Sequence, residues 1–222
     1  MHIVEGYLPM SWCVIWLVIS LAVAAYGLKQ YMDNYSGDED ALKLLLLSGV
    51  FSFFMSLIFG WSSVTGSFSH ASGTGLSTVF FGPSITALVT CVVVFLQAII
   101  LGYGGLTTVG ASVFSIGVLG PLCGYLLFKQ LRSMNVNNVV SVILVTFVIN
   151  VVACIASAFE LAVVYPQPDV VTSFVMYVTI YLVGQIPWLI VDCILTAVGF
   201  VVFLKIFEQV IGKKDLLNKF HW

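Results

Sequence analysis

The sequence contains very little charge: Asp, Glu, Lys and Arg together make up only 8% of its 222 residues. A soluble domain carries roughly a quarter of its residues as charged side chains, so this chain cannot cover a water-facing surface. Its eight Lys and Arg residues form no large basic block of the kind that binds nucleic acid. The scarcity of charge excludes a soluble protein and argues against a nucleic-acid partner.

Nucleotide-binding and cysteine motifs are missing as well. No Gly-x-x-x-x-Gly-Lys-Ser/Thr loop occurs, so the chain does not hydrolyse ATP through a P-loop. The five cysteines lie in apolar stretches without a Cys-x-x-Cys pair, which indicates membrane-core packing instead of a disulfide framework or a zinc site. No series of buried acids and histidines is evident that would couple transport to protons or sodium. If the chain transports a solute, another subunit must supply the energy.

Apolar residues, by contrast, are abundant: they make up 60% of the chain, and the mean hydropathy is +1.11. Apolar runs of about 20 residues are long enough to cross a bilayer as helices. We therefore predict an all-α integral membrane protein that forms a single domain over residues 1–222. The seven predicted spans are 10–29, 43–60, 64–82, 83–102, 107–130, 139–164 and 173–205.

The third predicted span is rich in Ser, Thr and Gly, and the positive charges decide whether it crosses. All eight basic residues fall on one side only if the stretch 61–106 crosses the membrane an even number of times. A six-span arrangement in which 64–82 is re-entrant breaks this parity. We predict an external N-terminus and a cytoplasmic C-terminus. No cleavable signal is expected, and Met1 is expected to be retained because His2 is a large second residue.

Met1 and His2 can form a chelate without help from the rest of the fold. The α-amine, the amide nitrogen of His2 and the His2 imidazole offer three nitrogens that suit Ni(II), Cu(II) or low-spin Co(II) better than zinc. Because the amine is protonated below about pH 8, metal capture should weaken in acid. The alternative is that the two residues are a plain exposed terminus.

His70 lies in the polar intramembrane stretch, where an ionisable ring costs energy unless it is paired or functional. The alternative is a core histidine satisfied by a neighbouring serine or carbonyl. Two of the three histidines, His2 and His70, are predicted at the outer face, so a shared site is favoured in which His70 completes a square plane of four nitrogens. His221 is predicted on the opposite side and is excluded as a ligand.

Several other polar residues are candidates for a supporting role. Asp192 either orients a ligand ring or serves helix packing, while Glu160 is expected to reach water at the end of its span. Ser69 adjoins His70, and Glu5 is either a supporting residue or a solvated loop residue. Two sets of small residues, Ser20-Ala24-Gly27 and Gly120-Gly124, permit close helix contact, either within the protein or with a partner subunit.

Several sequence motifs are distinctive: Met1-His2-Ile3-Val4-Glu5-Gly6-Tyr7-Leu8-Pro9 with Trp12, Gly66-Ser67-Phe68-Ser69-His70-Ala71-Ser72-Gly73-Thr74-Gly75-Leu76, Phe81-Gly82-Pro83, Leu96-Gln97-Ala98, Gly104-Gly105-Leu106-Thr107-Thr108-Val109-Gly110-Ala111, Val113-Phe114-Ser115 through Gly120-Pro121, and Gln185-Ile186-Pro187-Trp188. Together these motifs make the chain resemble the CbiM-type substrate-binding component of energy-coupling-factor cobalt importers. The resemblance covers nearly the whole chain. Two departures stand out: Asn150 where an acid is expected, and Asp192 where Glu is usual.

The resemblance implies seven helices, an N-terminus inserted into the protein, and a metal held by the Met1 amine, the His2 backbone nitrogen and imidazole, and His70. It also implies a transmembrane coupling subunit, cytoplasmic ATPase subunits and often a small accessory membrane protein as partners. The expected function is capture of Co(II) outside a prokaryotic cell and its delivery inward for cobalamin synthesis, with no cofactor. The opening Val4-Glu5-Gly6 is similar to the cobalt branch.

Two alternatives remain open. The first is Ni(II) capture by the same site, since nitrogen sites generally bind Ni(II) more tightly than Co(II). The second is an intramembrane hydrolase that uses a serine with His70, although the chain lacks a Gly-x-Ser-Gly type nucleophile setting and a convincing orienting acid. A hydrolase would need no free N-terminus, whereas the metal site needs the free amine. We predict a transport subunit and not an enzyme.

Overall fold

A computed structural model describes residues 2–58, 61–62 and 67–211 as a helical bundle with one small sheet. The helices are α1 (Met10–Tyr35), α2 (Glu39–Leu57), α3 (Thr74–Phe81), α4 (Pro83–Leu96), α5 (Val109–Val113), α6 (Gly120–Ser133), α7 (Asn138–Val164) and α8 (Val170–Ile211). The strands are β1 (His2–Ile3), β2 (Trp61–Ser62) and β3 (Ser67–Ser69), in the order β1-β3-β2. A π-helical turn, Gln97–Leu101, extends α4, and another, Phe114–Leu119, joins α5 to α6.

Within the described residues, six helices are long and apolar enough to cross a membrane, which confirms the predicted all-α membrane fold. They are Met10–Tyr35, Glu39–Leu57, Pro83–Leu101, Val109–Ser133, Asn138–Val164 and Val170–Glu208. Their ends differ from the predicted spans by a few residues. The last helix, α8, has 42 residues and is about 63 Å long, about twice the thickness of the hydrocarbon core.

The predicted third span, 64–82, is not one continuous helix. This stretch contains strand β3, an extended loop and the short helix α3, all eight residues of which are buried. The segment nevertheless passes from one end of the bundle to the other. His70 stacks on His2 near the start of α1, whereas Phe81 contacts Tyr35 at the end of α1, with ring centroids 5.7 Å apart. Non-helical backbone is tolerated at this depth because protein, not lipid, surrounds it.

The seventh pass places the basic residues of the described part at one end of the bundle, opposite the histidines. This basic end contains Lys29, Lys43, Lys129, Arg132 and Lys205. The N-terminal strand lies at the other end, which we call the histidine end. The charge pattern thus matches the predicted arrangement of the chain. The positive-inside tendency makes the basic end the cytoplasmic one, and that orientation stays a prediction.

The small residues of α1 serve packing within the protein and not contact with a partner. A Cβ added at Gly27 would lie 2.0 Å from the carbonyl oxygen of Ser84, at the start of α4. Ser20 donates its hydroxyl hydrogen to the carbonyl oxygen of Gly110 at 2.7 Å. Likewise, a Cβ at Gly124 of α6 would lie 2.6 Å from Ile149 Cγ1 of α7. Small side chains at these positions let the helix backbones approach closely.

Candidate metal centre

The small sheet brings the start of the chain to the polar intramembrane segment. β1 runs antiparallel to β3, with His2 opposite Phe68 and Ile3 opposite Ser67. Because His70 follows β3 directly, its ring reaches the ring of His2. The two imidazole centroids lie 4.7 Å apart, and the ring planes are inclined by 22°. The structure therefore brings together the two histidines that the charge pattern placed at one face.

The N-terminal segment is inserted into the protein and held on both sides. Only 1% of His2 and none of Ile3 is exposed. The Ile3 amide donates to Ser112 Oγ at 3.4 Å, and the Ile3 carbonyl accepts from Thr108 Oγ1 at 2.6 Å. Gly104 has a φ of +72°, and a Cβ there would lie 2.9 Å from His2 Cβ, so glycine allows both the turn and the close approach. Met1 lies outside the described residues.

The hydrogen bonds of the rings leave lone pairs available. His70 Nδ1 lies 2.6 Å from the Ala71 carbonyl oxygen, which can only accept, so Nδ1 carries the proton and Nε2 carries the lone pair. His70 Nε2 and both ring nitrogens of His2 have no partner among the described residues. Both residues are almost fully buried, with 1% of His2 and 2% of His70 exposed. Neutral imidazoles with free lone pairs are suited to bind a metal.

Asp192 of α8 anchors the loop that follows His70. Its Oδ2 accepts hydrogen bonds from Ser72 N, Ser72 Oγ and Asn150 Nδ2 at 2.9 Å each, and its Oδ1 accepts from Gly73 N and Thr196 Oγ1 at 3.0 Å each. All five partners are donors, so both carboxylate oxygens act as acceptors. None of these bonds reaches an imidazole. Asp192 thus supports the backbone next to His70 and does not orient a ligand ring directly.

Asn150 and Gln185 connect this network to His70. Gln185 Nε2 donates to the His70 carbonyl at 3.1 Å and to Asn150 Oδ1 at 3.2 Å. Asn150 therefore accepts from one neighbour while it donates to Asp192. An ionised acid at position 150 could only accept and would face the carboxylate of Asp192. This accounts for the amide at a position where the resemblance led us to expect an acid.

The other predicted supporting residues lie in different settings. Ser69 is buried in β3 beside His70, whereas Glu5 is exposed and accepts hydrogen bonds from the amide of Thr107 at 3.2 Å and from its hydroxyl. Glu5 thus ties the N-terminal segment to the loop before α5. The expectation that Glu160 reaches water was wrong: it is 0% exposed, and neither carboxylate oxygen has a partner among the described residues. His221 lies outside the described residues.

Side chains alone do not complete a metal site. In the part of the chain that the structure describes, no group of three or more His, Cys, Asp or Glu side chains is arranged to hold a metal ion. The two imidazoles would need further nitrogens, and the backbone and α-amine at the start of the chain are the nearest in sequence. No serine hydroxyl of the described residues is hydrogen-bonded to His70 Nε2.

Gln97 is a site residue that the sequence analysis quoted in a motif without giving it a role. It is 2% exposed at the end of α4 and lines a small cavity together with His70. Its Oε1 atom has no partner among the described residues. An amide within an otherwise apolar span is the signal that could have identified it.

Comparisons with known proteins identify the family of the chain. The family profile described as "Cobalt uptake substrate-specific transmembrane region" matches residues 2–210. The chain is 39% identical to a putative cobalt transport protein CbiM of Methanococcus voltae, over 89% of this chain and 88% of that protein. It is 39% identical to the cobalt transport protein CbiM of Limosilactobacillus reuteri, over 89% of this chain and 81% of that protein.

Two solved structures share the fold. A truncated transition metal transporter has a TM-score of 0.77 at 23% identity and covers 92% of this chain and 99% of its own. A second transition metal transporter has a TM-score of 0.74 at 24% identity and covers 100% of this chain and 98% of its own.

Proposed function

Since the chain belongs to the CbiM family of cobalt uptake transmembrane proteins, we propose that it captures Co(II) outside the cell and delivers it inward as the substrate-specific subunit of an energy-coupling-factor importer. The proposed ligands are the Met1 amine, the His2 backbone nitrogen and imidazole, and His70 Nε2. Four nitrogens of this kind suit a divalent metal that accepts a square plane.

One observation carries this proposal: two buried imidazoles stack at 4.7 Å, and three of their four nitrogens have no partner among the described residues. Buried polar atoms are rarely left unpaired, because each costs free energy when it loses its water. A bound cation would satisfy the lone pairs of His2 and His70. The burial of His2 and Ile3 within the protein supports the same proposal.

Energy for transport would come from partner subunits. The sequence has no P-loop, so cytoplasmic ATPases and a transmembrane coupling subunit are the proposed partners, together with a small accessory membrane protein. The basic end of the bundle supports a cytoplasmic C-terminus and an external histidine end. The proposed location is the cell membrane of a prokaryote, where the imported metal would supply cobalamin synthesis.

Nickel is the second candidate substrate. A site of nitrogen ligands generally binds Ni(II) more tightly than Co(II), so ligand chemistry alone favours nickel. Cobalt is favoured by the names of the relatives and by the opening Val4-Glu5-Gly6. Competition between labelled cobalt and labelled nickel at equal concentrations, measured with the complete transporter in metal-starved cells, separates the two. Strong preference for nickel would show that the second candidate is correct.

Extension of the chain by one residue before Met1 tests the site. The extension leaves every side chain in place but converts the α-amine into an amide, so the terminal chelate is destroyed. We expect stoichiometric cobalt binding by the purified protein to be lost, whereas the same residue added after Trp222 should have no effect. His70→Ala should also weaken binding, and His221→Ala should not. The proposal fails if the extended protein keeps its thermal unfolding profile and still retains stoichiometric cobalt.

A further inference from the structure

A small cavity lies within the protein beside His70, between α2 and α4. Its volume is about 10 Å³, and its polar lining consists of Ser52, His70, Ser72, Thr74, Thr90 and Gln97. Thr90 lies two helical turns from Gln97 toward the basic end, so the cavity extends from the histidine pair toward the basic end. A buried site of roughly 10–15 Å³ holds about one water molecule. We call this cavity the chamber.

Four polar atoms of the chamber have no hydrogen-bond partner among the described residues: Ser52 Oγ, Thr90 Oγ1, Gln97 Oε1 and His70 Nε2. The four side chains are only 1–2% exposed, so bulk water does not reach them. Buried polar atoms without a hydrogen-bond partner are rare in folded proteins. Four such atoms around one cavity therefore indicate that the cavity binds a polar molecule or ion.

The donors and acceptors of these atoms match a water molecule. His70 Nε2 accepts only, because the ring proton is on Nδ1, which bonds to Ala71, and Gln97 Oε1 also accepts only. The hydroxyls of Ser52 and Thr90 can each donate. One water could therefore donate to the two acceptors and accept from the two hydroxyls, which satisfies all four atoms.

A metal ion fits the chamber less well. Among the described residues no carboxylate lines it, and Asp192 already uses both oxygens on five donors. A divalent cation there would meet neutral oxygens and one imidazole in a medium of low dielectric constant, which is costly. Neutral polar atoms in balanced number favour water.

We propose that the chamber binds one ordered water. In the metal-free protein this water donates a hydrogen bond to His70 Nε2, and the bond is broken when the cation binds to that nitrogen. The second half of this statement rests on the proposed function. Ser52 and Thr90 hold the water in place, so they set how readily His70 becomes free. They would thereby adjust metal affinity without touching the metal.

The first test is a structure of the metal-free full-length protein at a resolution that shows ordered water. We expect one peak in the chamber within hydrogen-bond distance of the four atoms, and no anomalous signal there after crystals are soaked in cobalt. A dry chamber would overturn the proposal. An anomalous peak inside it would also overturn it, since the guest would then be a cation.

The second test compares two double variants by cobalt affinity. Ser52→Ala with Thr90→Val removes the two hydroxyls that hold the water, so the metal-free state loses stability and cobalt should bind roughly two- to tenfold more tightly, the value of about one hydrogen bond. The matched control is Ser48→Ala with Thr86→Val. Each control residue lies one turn earlier on the same helix and donates its hydroxyl to a backbone carbonyl at 2.8 Å.

The control variant should bind cobalt as the unaltered protein does. Unchanged or weaker binding in the Ser52/Thr90 variant, with a normal thermal unfolding profile, would overturn the proposal. Thr90→Val alone, measured in parallel, should shift affinity in the same direction and covers the case in which the double variant does not fold. If the chamber is dry but cobalt binding still depends on the free N-terminus, only the proposal of a bound water is refuted. If cobalt binding is retained after N-terminal extension, the proposed function is refuted.

Discussion

Asp192→Asn is the substitution that tests how the protein holds His70 in place. The carboxylate accepts five hydrogen bonds, two of them from the backbone amides of Ser72 and Gly73. Asparagine has nearly the same shape but replaces one accepting oxygen with an NH₂ group that can only donate. At least one of the two backbone amides must then face a donor.

The size of the effect follows from the less costly orientation of the new amide. If its oxygen takes the place of Oδ2, Thr196 can turn its hydroxyl to accept, and only the Gly73 amide loses its acceptor. The opposite orientation leaves Ser72 and Asn150 without an acceptor. One orphaned buried amide, together with the loss of charge-assisted bonds, should lower the free energy of unfolding by roughly 2–4 kcal/mol. Metal affinity should fall about 10- to 100-fold, as is typical when a supporting partner is lost.

The assay pairs thermal unfolding in detergent with cobalt binding, measured by competition with a coloured chelator. Thr196→Val is the matched control, because it removes one of the five bonds without altering the loop after His70. It should cost about 1 kcal/mol and leave cobalt affinity nearly unchanged. The reasoning would be refuted if Asp192→Asn unfolded and bound cobalt like the unaltered protein, or if Thr196→Val reduced affinity by the same factor.

Three further predictions follow from the arrangement of the site and of the bundle. Gly104→Ala should weaken cobalt binding, because the added Cβ would lie 2.9 Å from His2 Cβ. Gly102→Ala is the control: Gly102 also has a positive φ, but an added Cβ would meet nothing within 4 Å, so cobalt binding should be retained. Equal losses of binding in the two variants would contradict this account. Single cysteines at Asp169 and Asn135 in an otherwise cysteine-free chain should react with impermeant reagents from opposite sides of the membrane, and labelling of both from outside would refute the topology. The purified chain reconstituted alone should bind cobalt without ATP-driven uptake, and accumulation in the absence of other subunits would contradict the need for partners.

Much of the membrane architecture could be predicted from the sequence. The apolar runs identified the six long helices to within a few residues. This works because the free energy of moving a side chain from water into the membrane depends mainly on the type of that side chain, which the sequence gives directly. The basic residues lie on one side of the membrane only if the chain crosses it an even number of times between residues 61 and 106. The buried segment from His70 to Phe81 provides the second crossing in that stretch. The same argument placed His2 and His70 together, and their rings stack. Their role as metal ligands stays a prediction.

The tertiary structure decided the rest. Hydropathy indicates that residues 67–81 are buried, but it does not indicate that the segment begins with a strand and a loop before the short helix α3. Irregular backbone is possible there because neighbouring parts of the protein can form hydrogen bonds with its amides and carbonyls. The partner of Ser72 is Asp192, 120 positions away, and the partner of Ile3 is Ser112, 109 positions away. A polar atom within the bundle is stabilised only by the particular group that reaches it. Local patterns in the chain record which residues are buried, and only the packed fold determines which of their polar atoms are paired.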